Sequence, residues 1–255
     1  MIDPTCPSKL LCEPEHSILE TPTRCSARFA LTWAERIDCL LAYSDTSDDS
    51  TVDMNRNDVR RAWDEVSRTY ARRRDPDGSD AALIDELLAE CPPEPLIVDV
   101  GCGDGARTLA NLPTGSVGLD FSREALDLAV ETVPGARLLQ AEMGAVPVAT
   151  DSADGITAYH AVFHVPREEH FSVYREFARV LKPGGTLLLT LPGGRFETVR
   201  RNWMGREMFF SAPGRDRTLE QLREAGFGSI RTRTVDDPLG SNSEFVFADR
   251  APEDG

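Results

Sequence analysis

Three glycines at alternate positions, Gly101, Gly103 and Gly105, follow the apolar run LIVDV at residues 96–100. A strand that ends in such a turn leaves bare backbone for a ligand to lie against, because no Cβ stands in the way and positive φ costs nothing. Asp99 lies two residues before the first glycine, and Asp120 ends the next apolar run, SVGLDF. A carboxylate at a strand tip can accept hydrogen bonds from two vicinal ribose hydroxyls. A diphosphate would be poorly served by so acidic a pocket, whereas a ligand with an ammonium group, a positive centre and a ribose fits it. The spacing is G-x-G-x-G, not the dinucleotide fingerprint G-x-G-x-x-G. The chain has four histidines, His16, His160, His164 and His170; a histidine titrates near neutrality and so is a candidate base.

These residues need a scaffold that brings several strand ends together. Strands are expected at 96–100, 116–121, 136–141, 154–159 and 186–191. Helices are expected at about 105–111, 122–133 and 167–181, with Ser122 capping the second. The first of these would point its free N–H groups at the glycine turn. An earlier helical pattern starts after Met54 and places Val59, Ala62, Trp63, Val66 and Tyr70 on one face. Another helix is expected at 80–90, capped by Ser79 or Asp80. Strands alternating with helices imply an α/β fold with a doubly wound, mostly parallel sheet. After a helix at 218–225, SIRTRTVDD and SNSEFVFADR alternate polar and apolar residues and read as an antiparallel pair.

The 255 residues carry 43 acidic and 28 basic side chains, for a net charge of −15. Phosphate neutralisation needs a basic face, so nucleic acid is not an expected partner, and neither is an anionic membrane. Lys9 and Lys182 are the only lysines. An acid-rich, lysine-poor surface suits a salt-rich cytoplasm, where screening relieves self-repulsion, and a halophilic source is the expectation. No secretory leader or membrane span is read, and the cysteine spacings match no zinc template, so a soluble cytoplasmic protein without a metal is expected. Residues 1–53 are rich in Pro, Ser, Thr and Cys and read as a disordered extension with at most one weak helix at 27–42. Met54 is an alternative start for the folded domain of residues 54–255.

Taken in order, VDVGCGDG, GLDFS, QAEMGAVPVATDSADG and RVLKPGGTLLLTLP resemble the class I S-adenosylmethionine-dependent methyltransferases over roughly residues 57–249. The run HVPREEHFSVYREFARVLKPGG resembles the branch that acts on small molecules. The resemblance implies a seven-stranded Rossmann-like sheet with an antiparallel last strand. It places Gly101 and Gly103 against the methionine part of the cofactor, with Gly105 serving the turn. Asp99 would hold the amino end through water and Asp120 both ribose hydroxyls. Phe121 would cover the adenine, Glu142 would accept from its amino group, and the Met143 backbone N–H would lie along its edge. Tyr159 would border the methionine moiety. His164 and Tyr70 are the candidate catalytic residues, the first as a base and the second closing over the sulfonium, while His170 reads as a surface residue. Residues 193–215, with aromatics among arginines, would lid a small-molecule acceptor. The protein would act as a monomer or homodimer. The rivals are a nicotinamide- or nucleotide-dependent oxidoreductase and a non-catalytic subunit that binds S-adenosylmethionine.

Overall fold

The run IVDV forms strand β1, Ile97–Val100, and all four residues are buried. Such a strand needs cover on both faces. The computed structural model describes residues 54–74, 78, 81–236 and 242–252. The expected extension at 1–53 with its helix at 27–42, His16, and the caps Ser79 and Asp80 lie outside these residues.

Helices α1 (Arg56–Arg73) and α2 (Ala81–Ala89) precede β1. The chain continues through β2 (Val117–Asp120), α3 (Arg123–Thr132), β3 (Arg137–Gln140) and β4 (Ala153–Ala158). Then come α4 (His170–Val180), β5 (Leu181–Leu191), β6 (Arg195–Trp203), β7 (Arg206–Pro213), α5 (Arg215–Glu224), β8 (Phe227–Asp236) and β9 (Asn242–Arg250). Seven strands form one sheet in the order β3-β2-β1-β4-β5-β9-β8. Strands β1 to β5 run parallel, and β9 lies antiparallel between β5 and β8. This is the expected doubly wound sheet with its last strand reversed. The chain order turns back at β1, since β2 lies on one side of it and β4 on the other, and ligands of such sheets bind at that switch point. The main core lies under α4 and α5, where Tyr174, Phe177 and Leu222 meet Leu187, Leu189 and Val246.

Two expectations change, and a third segment takes a form the sequence did not specify. The helix expected at about 105–111 is a series of turns with one 3₁₀ turn at Leu109–Asn111. The glycines impose this: Gly101, Gly103 and Gly105 have φ of 73°, 58° and 75°. The Thr108 hydroxyl is also drawn to the buried Asp99 carboxylate. His170, expected on the surface, is 1% exposed. It opens α4, which folds back on the preceding segment, and its Nε2 lies 2.9 Å from the Val165 carbonyl. The segment 193–215, expected as a lid, is largely the two-stranded antiparallel hairpin β6–β7. Met204 and Gly205 at its tip both have positive φ, 52° and 91°, a pairing that suits the twist of a tight hairpin. The hairpin packs Met208, Phe209 and Phe210 against Val59, Ala62 and Val66 of α1.

Candidate active site

Asp120 ends β2, 7% exposed, and both carboxylate oxygens are already engaged by backbone. The Gly103 N–H donates to Oδ2 at 2.9 Å and the Ser122 N–H to Oδ1 at 2.8 Å. Each carboxylate oxygen can accept twice, so one site on each remains for a ligand. Burial raises the Asp120 pKa to about 6, against the hydrogen bonds from Ser122 and Gly103 that lower it. At neutral pH the group is still mostly ionised, though at a cost.

A cavity of about 770 Å³, its mouth included, opens at these strand tips. Nine residues to which the resemblance gives a role line it: Tyr70, Gly101, Gly103, Asp120, Phe121, Glu142, Met143, Tyr159 and His164. They come from α1, the glycine turn, and the segments after β2, β3 and β4. Glycine is needed at position 101, because a Cβ there would collide with the Ala161 side chain. At Gly103 nothing lies within 4 Å of the missing Cβ, so that space is left to the cavity side.

Asp99 and Gly105 stand behind the wall and do not line the cavity. Asp99 is 1% exposed, and its oxygens accept from the hydroxyls of Thr108 and, at 2.7 Å, Thr157. Burial raises its pKa to about 6, while those hydroxyls and Arg74 pull it down. Its geometry is that of a brace between β1, β4 and the glycine turn. Gly105 lets the turn settle on Val133 and Leu109, 3.1 and 3.4 Å from where its Cβ would be.

Helix α1 closes one side of the cavity. Asn55 starts it with a capping box, accepting from the N–H groups of Asn57 and Asp58 while Asp58 returns a bond. Asp64 ties the helix to α3 by accepting from the Ser122 hydroxyl at 2.8 Å, next to Asp120. The inward face presents Trp63 and Tyr70, whose rings meet edge-on at 5.3 Å. Arg74 follows at the helix end and also lines the cavity. Its guanidinium lies 5.1 Å from the Tyr70 ring centroid and donates to Asp104 at 2.7 Å. Arg74 did not stand out in the sequence, since YARRR reads as a solvated charge run; one signal was its position just past the last turn of the amphipathic helix.

The far side carries the histidines. His164 lies in a 3₁₀ turn, Val162–His164, and its Nδ1 is 3.0 Å from the Phe209 carbonyl. That bond requires a proton on Nδ1, which leaves Nε2 as the lone-pair nitrogen. Burial pushes the His164 pKa down to about 4, and Arg200 adds to the effect. Aromatic rings surround it: Trp63 at 5.0 Å, Phe163 at 4.9 Å and Phe210 at 4.8 Å between centroids. His160 also lines the cavity. It lies two residues past the end of β4 with φ of 52°, and its N–H donates to the Thr190 hydroxyl at 2.9 Å. A left-handed histidine carries strain of the kind found at functional sites. Among the described residues, no group of three or more His, Cys, Asp or Glu is placed to hold a metal ion, and no helix is long and apolar enough to cross a membrane.

Residues 98–189 match the family model of a methyltransferase domain. Over 144 residues, 56% of this chain, the sequence is 26% identical to a tRNA (carboxymethyluridine(34)-5-O)-methyltransferase of Mus musculus, and the match spans 21% of that protein. Over 170 residues it is 28% identical to demethylmenaquinone methyltransferase of Staphylococcus aureus, covering 54% of this chain and 69% of the relative. The fold is similar to that of 1,6-didemethyltoxoflavin-N1-methyltransferase of Burkholderia thailandensis, solved with 1,6-didemethyltoxoflavin and S-adenosylhomocysteine bound. There the TM-score is 0.56 at 15% identity, over 91% of this chain and 93% of the other.

Proposed function

We propose that the cavity binds S-adenosylmethionine and that the protein transfers its methyl group to a small, planar acceptor. The observation that carries this reading is Asp120. It is held by two backbone N–H groups with one acceptor site left on each oxygen, and it stands at the switch point beside glycines that leave the backbone bare. The methyltransferase-domain match over the same strands supports it.

In this reading the ribose hydroxyls donate to Asp120, and Gly101 and Gly103 lie against the methionine part. Phe121 covers the adenine. Glu142 accepts from the adenine amino group and the Met143 N–H faces the ring edge. Tyr159 borders the methionine chain, and Arg74 takes its carboxylate, with Asp104 fixing the guanidinium. Asp99 acts indirectly, by holding the glycine turn through Thr108. Tyr70 turns its ring toward the sulfonium, a contact worth about 0.5–2 kcal/mol.

Methyl transfer is an in-line displacement, so positioning and exclusion of water supply much of the rate. Trp63, Tyr70 and His164 wall the cavity with aromatic surface, and the β6–β7 hairpin backs it with Phe210 and Trp203. If the acceptor must lose a proton, Nε2 of His164 receives it. A ring with its pKa near 4 is neutral at pH 7 and has that lone pair free. A labelled-methyl transfer assay against fractionated metabolites at high salt tests the reading, with NADH titrated alongside. Transfer of label into a small-molecule fraction is expected. Binding of NADH with no response to S-adenosylmethionine would replace the reading with the oxidoreductase.

A further inference from the structure

We propose that the methyl acceptor is an aromatic carboxylic acid whose carboxylate is held by Arg200, on the Met208–Phe210 face of the β6–β7 hairpin. The inference rests on the methyltransferase reading and names its substrate class.

Arg200 pairs across the hairpin with Met208, which is fully buried. Directly opposite residues in an antiparallel pair project to the same side. Thr198 pairs with Phe210 two positions along, so Arg200, Met208 and Phe210 share one face. The guanidinium lies 4.7 Å from the Phe210 ring centroid. It has no hydrogen bond and no ion pair to any described residue. In a chain with 43 acids against 28 basic residues, a half-buried arginine without a carboxylate is out of keeping. Of the two arginines that line the cavity, Arg56 is paired with Glu169, and Arg74 is paired with Asp104 and already assigned to the cofactor. Partial burial lowers the Arg200 pKa with nothing opposing it. A partly dehydrated cation is a standing cost. The face of Phe210 offsets part of that cost, but it engages none of the N–H donors, and a planar fork of donors is suited to accept a carboxylate.

The surroundings define the rest of the ligand. Phe210 meets Trp203 at 5.8 Å and His164 at 4.8 Å between centroids. Arg200, Trp203 and Phe210 stand behind the cavity wall and His164 is on it, so an acceptor anchored on Arg200 would reach past these rings to His164. Arg200 also depresses the basicity of His164. An arriving carboxylate would cancel that field, so the acid group that gives affinity would also make His164 a stronger base.

The test uses the full chain saturated with S-adenosylhomocysteine and titrated calorimetrically with para-hydroxybenzoate, salicylate and a hydroxynaphthoate, each beside its neutral carboxamide. At least one acid is expected to bind about tenfold or more tightly than its amide, the scale of a hydrogen-bonded charge. Arg200→Gln should abolish that preference, and Arg201→Gln, on the exposed neighbour, should keep it. The His164 titration followed by NMR should move to higher pH with acid bound, an effect absent in Arg200→Gln. Equal binding of acids and amides, no binding of any probe, or a preference that survives Arg200→Gln overturns the proposal. Loss of S-adenosylhomocysteine binding itself would instead count against the cofactor reading.

Discussion

Replacing Asp120 with asparagine separates binding from folding. In the free protein the carboxyl pKa is about 6 against an ordinary value of 3.8. A raised pKa means that ionisation disfavours the folded state. The penalty is fully present above pH 6 and is relieved as the pH falls from about 6 toward 4. Two pKa units correspond to about 3 kcal/mol, which the neutral amide escapes. Against that gain, the asparagine NH₂ must face one of the two backbone donors, Gly103 or Ser122. A lost, buried hydrogen bond costs about 1–3 kcal/mol. The two effects nearly offset, so the unliganded protein should melt within about 5 °C of wild type, given about 2–4 °C per kcal/mol for a domain of this size. Cofactor affinity has no such compensation. One acceptor and the charge are gone, about 1.5–3 kcal/mol, so the Kd for S-adenosylhomocysteine should rise about 10- to 150-fold. Calorimetric titration at pH 7.5 measures this, with a thermal melt of the same sample. A Kd within about threefold of wild type, with the melt unchanged, would refute the argument that this carboxylate grips the ribose.

The same carboxylate sets a pH dependence: wild-type affinity should be flat above pH 6 and weaken below it as Asp120 protonates, and the asparagine variant should lose that slope. Gly101→Ala forces a Cβ into Ala161 at φ of 73° and should cost about 1–3 kcal/mol of stability as well as binding, whereas Gly103→Ala, with open space around its Cβ, should lose binding with a smaller drop in melting temperature. His164→Asn keeps a donor for the Phe209 carbonyl but removes the basic nitrogen. It should lower kcat about 10²–10⁴-fold for an acceptor that must lose a proton and leave S-adenosylhomocysteine affinity near wild type. The melting temperature should climb between low salt and molar KCl, since screening relieves a net charge of −15; a flat response would remove the halophilic reading.

The sheet was legible because each strand announced itself by composition. IVDV, VGLD and LLLTL are apolar runs that only a doubly covered strand can use, and Ser122 caps α3 as its type and place suggested, accepting from the Ala125 N–H at 3.2 Å. The cavity residues at strand tips were legible for the same reason, since topology brings the tips together. What the sequence hid depended on long-range partners. The turn after β1 reads as helix locally, but Asp99 and the three glycines hold it in another form. His170 shows a polar residue at a helix start, and only the tertiary fold buries it against Val165. Aromatics in β6 and β7 are spaced for a lid or a core alike, and their docking on α1 is a contact between segments more than a hundred residues apart. Arg200 is one arginine among many until the hairpin register sets it beside Met208 and Phe210.

The central claim is a position: the ribose of a sulfur nucleoside on Asp120. A crystal structure with S-adenosylhomocysteine bound tests it most directly. Both ribose hydroxyls should lie within hydrogen-bond distance of the two Asp120 oxygens, with the methionine chain passing over Gly101 and Gly103. A ribose bound away from Asp120, or a cavity that stays empty under saturating nucleoside, would contradict the account.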